Sequence, residues 1–488
     1  MTEPKQYDAI VIGAGPAGVN AALTAAMFGK KVVVVEKSAA VGDVIGFPAP
    51  ASTRAHQGRI AASPACRSAV LSRRLYGVDL SIRREATVAD LMSHERVVKS
   101  SEQTQILGRL DRSAVPVVHG SAEFVDPHTI RVTHPTKQPD QLLTADRIIL
   151  AIGSTPSRPA LFPFEHPRVL DSDEVVELHE IPKSLAVIGA GVIGSEYACT
   201  FATLGCQVHV IDGRDTLLPF LDLQISHALA EAMTDLGITF HWKETVTHCE
   251  VPADDEVNLR LTMSSGAVLE ADAVLVAAGR ESKTAELNPD AAGLLLGKRG
   301  LIPVNEHFQT NVPHVYAVGD VIGFPALAST SAEQGRIAAS HACGSAVLSR
   351  MPLLLPTGIY TIPEAAMVGE TEGSLKSQGI PYVVGRGDYA ENARGKIIGD
   401  SKGFLKLLFR AEDMKLVGVH VIGEQATEMV HIGLMVMRAG GAADLLLHTC
   451  FNYPTLGWMY KWAAFDAVIA RYGSLDAVPV PVPGVAKD

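Results

Sequence analysis

The first residues whose types and spacing could do chemistry are three closely spaced glycines and a more distant acid, Gly13, Gly15, Gly18 and Glu36. The first glycine permits a tight turn, the second lets backbone N–H groups approach a pyrophosphate, and the third lets a helix pack closely on its strand. An acid at this distance can accept hydrogen bonds from the hydroxyls of an adenosine ribose. The pattern therefore predicts a dinucleotide site, with Lys37 beside the acid.

The same pattern recurs near the middle of the chain, where Gly189, Gly191 and Gly194 precede Asp212. Because each pyrophosphate needs its own helix N-terminus, two such patterns predict two dinucleotides. Asp212 suits a free ribose 2′-hydroxyl. Arg214 could meet a 2′-phosphate, or it could be an ordinary solvated arginine, so NAD and NADP both stay open.

Further glycine turns follow apolar runs at three places: Gly153, Gly279 with Arg280, and Gly319 with Asp320. Gly153 closes the unit that contains Gly13, Gly15 and Gly18. Gly279 with Arg280 closes the unit that contains the second set of glycines. An aspartate after a buried strand, such as Asp320, can bind a polyol chain. The helix predicted to begin near Ser329 would direct its partial positive charge toward a ring that carries negative charge.

The elements that must position these residues are two strand–helix–strand units. In the first, a strand over residues 9–12 leads into a helix from Pro16 to about Phe28 and a second strand over residues 31–35. The second unit repeats this order from Leu185, with a helix to about Leu204. Residues 84–110 are polar with helical spacing, which predicts a surface helix.

Composition limits the class of protein and its partners. A chain of 488 residues is long enough for two to four domains, and its net charge of −11 argues against nucleic acid and anionic membrane surfaces. The glycine pattern inside the apolar run of residues 9–29 favours a buried strand and helix over a membrane span. Six cysteines without metal or redox spacing predict no metal site and fit a reducing cytoplasm.

The order of these motifs resembles that of the two-dinucleotide flavoprotein reductases, the family of dihydrolipoamide dehydrogenase and glutathione reductase. The motifs are GxGxxG with its terminal acid, AIGS, GxGxxGxE, AAGR and AVGD. The resemblance implies an α/β fold with two Rossmann-like domains, for FAD and then NAD(P), and a C-terminal α+β interface domain that forms a homodimer or a higher oligomer. The FAD domain is expected over residues 1–160 and 285–354, and the NAD(P) domain over residues 161–284. The interface domain is expected over residues 355–475, followed by a proline-rich tail over 476–488.

The resemblance also implies roles for individual residues. Asp320 would contact the ribityl chain of the flavin. The full set of residues that would bind FAD is Gly13, Gly15, Gly18, Glu36, Lys37, Gly153, Gly319 and Asp320. NAD(P) would be bound by the second set: Gly189, Gly191, Gly194, Glu196, Asp212, Arg214, Gly279 and Arg280. Glu196 would also be a catalytic residue, near flavin N5 and opposite a cation.

An internal repeat lies where the family carries its redox segment. Residues 41–73 repeat residues 318–350 except at five pairs: Pro50/Leu327, Arg54/Ser331, His56/Glu333, Pro64/His341 and Arg67/Gly344. Such identity indicates a recent segmental duplication or a sequence artefact. Disulfide reductases of the family have two cysteines four residues apart in this segment, and other members have a lysine. An ungapped alignment from Glu36 puts Arg54 at the lysine position, facing Glu196, whereas an alignment from Tyr76 shifts it by several residues.

The absence of a thiol pair indicates a reaction without a redox disulfide. Tyr453 stands where the disulfide reductases have a C-terminal histidine. The resemblance then implies FAD-dependent hydride transfer from NADPH to NAD⁺ through flavin N5, with both nucleotides using one site in turn. Two alternatives stay open: a disulfide reductase, disfavoured by the missing CxxxxC pair, and a flavin-binding protein whose turnover the repeat impairs.

Overall fold

The computed structural model describes residues 4–37, 88–135, 138–175, 178, 180–253 and 257–474. These residues form α/β units built around two mainly parallel sheets and one antiparallel sheet. This architecture confirms the predicted fold class. The domain bounds given above stay predictions. In the described part of the chain, no helix is long and apolar enough to cross a bilayer.

The first sheet contains seven strands in the order β3-β2-β1-β6-β5-β4, with β17 paired to β6. Its strands are β1 (Lys5–Ile12), β2 (Val32–Glu36), β3 (Val117–His119), β4 (Ser121–Asp126), β5 (Thr129–Thr133), β6 (Gln141–Leu150) and β17 (Val315–Ala317). The strands β3, β2, β1, β6 and β17 are parallel, whereas β4 and β5 are antiparallel. Residues 32–35 are all buried, as expected for a parallel strand covered on both faces.

Three helices accompany this sheet: α1 (Pro16–Met27), α2 (Val88–Arg112) and α5 (Ala328–Ala342). Small residues on α1 let α5 approach it closely. A Cβ on Gly335 of α5 would lie 2.2 Å from the carbonyl oxygen of Ala17 on α1, so only glycine fits there. Proline at the first position of α1 suits a helix start, because its missing N–H has no intrahelical partner there.

The second sheet has five parallel strands in the order β11-β10-β9-β15-β8. They are β8 (Val169–Asp171), β9 (Ser184–Ile188), β10 (Gln207–Asp212), β11 (Thr239–Trp242) and β15 (Ala273–Val276). The helices α3 (Val192–Thr203) and α4 (Leu223–Asp235) belong to this unit, with a small antiparallel sheet of β12 (Val246–Glu250), β13 (Leu259–Met263) and β14 (Val268–Ala271). A short antiparallel pair, β7 (Thr155–Pro156) and β16 (Arg280–Glu281), joins this unit to the first.

The third sheet is antiparallel, in the order β18-β19-β22-β21-β20. Its strands are β18 (Thr357–Ile359), β19 (Glu364–Gly369), β20 (Tyr382–Asp388), β21 (Phe404–Arg410) and β22 (Leu416–Gly423). The helices of this unit are α6 (Glu372–Ser377), α7 (Ala393–Ile398), α8 (Ala426–Arg438), α9 (Ala443–His448) and α10 (Met459–Tyr472).

A buried cation connects the third unit to the second. Lys406 of β21 is 1% exposed, and its Nζ lies 2.7 Å from Oδ1 of Asp222, the N-cap of α4. It also pairs with Glu372, which accepts a 2.6 Å hydrogen bond from Tyr382. Burial alone would raise the pKa of Glu372, but the bonds from Lys406 and Tyr382 lower this pKa to about 2.

Lys406→Ala is expected to destabilise the protein by about 3–5 kcal/mol, because it leaves two carboxylates without their buried cation. Glu372 adds stability above pH 4.5, its ordinary pKa, and this stability is lost as the pH falls toward 2. Urea unfolding of wild type and variant between pH 3 and pH 7 measures both effects. The difference between the two proteins should shrink at the acid end. A constant difference across this range would contradict the assignment.

Candidate functional site

The first glycine turn joins β1 to α1 and brings three backbone segments into close contact. Gly13 has φ +101°, and a Cβ there would lie 2.3 Å from the carbonyl oxygen of Ala151, the residue after the neighbouring strand β6. A Cβ on Gly18 would lie 1.9 Å from the carbonyl oxygen of Gly13. A Cβ on Gly15 would meet no atom within 4 Å. Gly13 and Gly18 therefore serve packing, whereas Gly15 faces open space.

The acid at the end of β2 faces the same turn. One carboxylate oxygen of Glu36 accepts a 2.6 Å hydrogen bond from the backbone N–H of Ala14. The neighbouring cation, Lys37, extends to Glu286, with Nζ and Oε2 2.5 Å apart. α1 has no side-chain cap on its N-terminal N–H groups. The turn thus presents an acid beside uncapped backbone donors.

The opposite part of the site is formed by the turn after β17. Gly319 has φ +80°, and its N–H donates a 2.7 Å bond to the buried amide oxygen of Gln334. Asp320 accepts a 2.9 Å bond from the hydroxyl of Ser154. Ser154 in turn accepts a 2.8 Å bond from Nε of Arg280, whose Nη2 donates to the Ser154 carbonyl at 2.6 Å. Asp320 is therefore held by Ser154, which is itself held by Arg280 of the second unit.

These turns line one cleft at the carboxyl ends of β1, β6 and β17, with about 1190 Å³ of space when its open mouth is included. The residues of the first predicted set that line it are Gly13, Gly15, Glu36, Lys37, Gly153, Gly319 and Asp320. Gly18 packs against the turn. Arg280, which the sequence predicts at the second site, lies in the wall of this cleft.

The residues present fit FAD. Gly15 leaves room where a pyrophosphate would approach, and uncapped N–H groups of α1 adjoin that space. Glu36 supplies an acceptor at one end of the cleft, and Asp320 supplies one near the start of α5. Ser154 and Ser331 also line the cleft, although the sequence patterns do not predict them there. Only the position of Ser154 after Gly153, in the AIGS motif, could have indicated it.

Glu36→Ala is expected to raise the dissociation constant of FAD at least about tenfold, because a hydrogen bond to a charged acceptor is lost. Asp212→Ala is the matched control, since it removes the corresponding acid of the second unit and should leave FAD binding unchanged. Fluorescence titration of the flavin-free proteins with FAD measures both. Equal FAD affinity in wild type and Glu36→Ala would remove Glu36 from the site.

The second glycine turn repeats the geometry of the first. Gly189 has φ +106°, and its Cβ would lie 2.7 Å from the carbonyl oxygen of Ala277. A Cβ on Gly194 would lie 2.0 Å from the carbonyl oxygen of Gly189, and one on Gly191 would meet no atom within 4 Å. Asp212 accepts a 2.6 Å bond from the N–H of Ala190, as Glu36 does from Ala14. The second unit therefore has the same kind of site.

The acid of the second turn is in contact with a cation. Arg214 donates to Asp212 through Nε at 2.8 Å, Nη2 at 2.6 Å and its backbone N–H at 2.9 Å. Burial alone would raise the pKa of Asp212, but the bonds from Arg214 and from the backbone of Arg214 and Ala190 lower it. Asp212 is therefore a carboxylate at neutral pH.

Glu196 and Gly279, which the sequence predicts at the second site, make contacts with other parts of the chain. Glu196 is fully buried on α3, where Oε1 accepts a 2.8 Å bond from the N–H of Tyr360 in the third unit. It is not among the described residues that line the first cleft. Arg54, its predicted partner, lies outside the described residues. Gly279 has φ +121° and lies at the junction of the two units, where its carbonyl accepts a bond from the N–H of Ser157.

Comparison with known proteins gives matches over nearly the whole chain. A family model described as pyridine nucleotide-disulphide oxidoreductase matches residues 7–335, and the dimerisation-domain model of the same family matches residues 355–464. The soluble pyridine nucleotide transhydrogenase of Mycobacterium tuberculosis is 44% identical over 470 residues, which cover 95% of this chain and 97% of the relative. The protein of the same name from Colwellia psychrerythraea is 38% identical, over 96% of this chain and 99% of the relative.

Solved structures share the fold. LpdA from Mycobacterium tuberculosis superposes with a TM-score of 0.82 at 25% identity, over 93% of this chain and 98% of that one. The HOCl-induced flavoprotein disulfide reductase RclA from Escherichia coli has a TM-score of 0.81 at 24% identity, over 94% and 99% of the two chains. The latter shows the fold alone.

Proposed function

Because the chain belongs to the pyridine nucleotide-disulphide oxidoreductase family, we propose that it is an FAD-dependent enzyme that transfers hydride between NADPH and NAD⁺. The observation that carries this proposal is the pair of glycine turns with one geometry, each with an acid 2.6 Å from a backbone N–H. Two such turns can hold two dinucleotides at once, as hydride transfer between a flavin and a nicotinamide requires.

In the proposed enzyme the first cleft holds FAD. Gly13 and Gly18 set the turn, Gly15 leaves room for the pyrophosphate, and Glu36 binds the adenosine ribose. Asp320 binds the ribityl chain, and Ser154 with Arg280 keeps its carboxylate in place. When bound, FAD supplies the two-electron chemistry. Gly153, Gly319 and Lys37 complete this cleft.

The first turn of α5 also faces the cleft, through Ala328 and Ser331. This helix has no side-chain cap on its N-terminal N–H groups. Its partial positive charge therefore stabilises negative charge on a ring bound nearby.

The second unit holds the nicotinamide nucleotide through Gly189, Gly191 and Gly194, with Asp212 and Arg214 near the ribose. NADPH and NAD⁺ use this site in turn. We assign Gly279 and Arg280 to the junction through which the two units meet, and Glu196 to the region where α3 meets the third unit. The domain bounds predicted from the sequence are part of this proposal.

Three of the five described cysteines are buried, and their surroundings support a reaction without thiols. Burial raises the pKa of Cys199 and Cys206 to about 12 and that of Cys249 to about 11, so none of these three is a thiolate near neutral pH. The sequence holds no two cysteines four residues apart. Tyr453, at the position of the histidine in disulfide reductases, is 64% exposed and packs edge-on against Trp458.

Steady-state oxidation of NADPH with thio-NAD⁺ as acceptor tests the proposal. We expect turnover with this pair, no turnover with lipoamide or glutathione disulfide, and uptake of one two-electron equivalent per flavin in an anaerobic reductive titration. Uptake of a second equivalent with charge-transfer absorbance would identify a redox disulfide and overturn the proposal. A flavin-loaded protein without any turnover would support the alternative, a flavin-binding protein impaired by the repeat of residues 41–73.

The assembly and location of the enzyme complete the proposal. The match of residues 355–464 to the dimerisation-domain model indicates a homo-oligomer. We propose a homodimer through this region and a place in the cytoplasm, where NADPH and NAD⁺ are both present.

A further inference from the structure

The carboxylate of Asp212 has its acceptor positions filled by its own chain. Oδ1 accepts from the backbone N–H and Nε of Arg214, and Oδ2 accepts from Nη2 of Arg214 and the N–H of Ala190. A carboxylate offers about four lone-pair positions. Because Asp212 is only 8% exposed, little of it is left for a hydroxyl from solvent or ligand.

The cation that follows the acid has a different partner in the two units. Glu36 makes the same bond to the backbone N–H of its turn as Asp212 does, but the cation that follows it, Lys37, pairs with Glu286. Arg214, two residues after Asp212, instead makes a forked contact with Asp212 itself.

This contact has opposite consequences for the two nicotinamide nucleotides. The free 2′-hydroxyl of NAD⁺ needs an acceptor, which it finds on Asp212 only after Arg214 moves away. The 2′-phosphate of NADPH needs a cation and is repelled by a bare carboxylate. Arg214 has five N–H donors on its side chain and uses two on Asp212, so its remaining donors can bind a phosphate. Its side chain is 46% exposed, which leaves it room to move.

We propose that Arg214 is a displaceable internal ligand of Asp212, which binds the 2′-phosphate when NADPH enters and leaves Asp212 to the ribose when NAD⁺ enters. The inference rests on the proposed function, because an enzyme that transfers hydride between NADPH and NAD⁺ must accept both at one site. It assigns the choice between the nucleotides to the position of one side chain.

Binding of two nucleotide fragments to the FAD-loaded full chain tests this inference apart from turnover. Calorimetric titration measures the dissociation constants of 2′,5′-ADP, which carries the 2′-phosphate of NADPH, and of 5′-AMP, which has the free 2′-hydroxyl of NAD⁺. Neither fragment can transfer hydride. In Arg214→Ala we expect the dissociation constant of 2′,5′-ADP to rise at least about tenfold, since a charge-assisted bond is lost and Asp212 repels the phosphate. The dissociation constant of 5′-AMP should fall severalfold, because the acceptors of Asp212 are released.

The opposite signs separate this role from a structural one. If Arg214 only held Asp212 in place, both fragments would bind more weakly, and that result would overturn the inference. Unchanged affinity for 5′-AMP, or no binding of either fragment to wild type, would overturn it as well. Loss of transhydrogenase turnover with the opposite shifts retained would instead count against the proposed function alone.

Two further variants complete the experiment. Arg410→Ala is the matched control, because Arg410 makes a similar forked contact to Asp413 in the third unit, and it should change neither affinity. Arg214→Lys keeps a cation but cannot form the fork. It should retain more affinity for 2′,5′-ADP than Arg214→Ala and still bind 5′-AMP more tightly than wild type. If Arg214→Lys bound both fragments as wild type does, the forked contact would have no part in selectivity.

Discussion

Gly18→Ala protein is expected to fold and to be purified with less bound flavin than wild type. A Cβ at this position would lie 1.9 Å from the carbonyl oxygen of Gly13, so α1 must move away from β1. That movement shifts the N–H groups at the start of α1, which adjoin the space left by Gly15. Overpacking of this kind costs about 1–3 kcal/mol, so the dissociation constant of FAD should rise about 5- to 150-fold.

The ratio of flavin absorbance to protein absorbance after purification measures this loss. Far-UV circular dichroism shows whether the variant is folded, and binding of 2′,5′-ADP shows whether the second unit is intact. We expect both to resemble wild type. A Gly18→Ala protein with full flavin content would show that the turn adapts and that the contact between Gly18 and Gly13 is not critical.

Gly194→Ala is expected to give the converse phenotype, a yellow protein that needs higher concentrations of NADPH to reduce its flavin. Its Cβ would lie 2.0 Å from the carbonyl oxygen of Gly189, in the same geometry as the first turn. Because the strain falls in the second unit, FAD should be retained while the affinity for NADPH falls at least about tenfold. Stopped-flow reduction of the flavin by NADPH, over a range of NADPH concentrations, measures this affinity directly.

The two glycine variants control for each other, since the same atom is added in the same geometry at two places. Reduction of the Gly194→Ala flavin by dithionite should proceed as in wild type, which separates a defect in nucleotide binding from a defect in the flavin. If Gly194→Ala lost FAD instead, the two turns would not serve separate dinucleotides.

The local features of both sites could be predicted from the sequence, because their residues are close along the chain. The spacing of Gly13, Gly15 and Gly18 specifies a turn and a helix start, and the helix ends at Met27, one residue from the predicted end. The helix expected near Ser329 begins at Ala328. Periodicity and glycine chemistry act over a few residues, so they leave a signal that one sequence can show.

Contacts between distant segments could not be predicted in this way. The bonds that hold Asp320 join residues 166 and 126 positions apart, and the bond from Tyr360 to Glu196 spans 164 positions. Nothing in the sequence near Arg280 distinguishes a residue that contacts the nucleotide from one that braces the flavin cleft. Lys406 likewise looks like a solvated lysine in a strand, and only its contacts with Asp222 at the start of α4 and with Glu372 show that it is buried.

The close fit of α5 on α1 bears on the order in which a ribosome makes the chain. Residues 41–73 leave the ribosome soon after α1, whereas the nearly identical residues 318–350, which contain α5, follow long afterwards. The groove on α1 near Ala17 accepts one such segment. In the earlier copy, Arg54 replaces Ser331, which is 5% exposed, and Pro64 replaces His341 inside the helix. A buried charge and a helix-interrupting proline disfavour the earlier copy in that groove. These two substitutions therefore favour residues 318–350, the later of the two copies, as the segment that packs on α1.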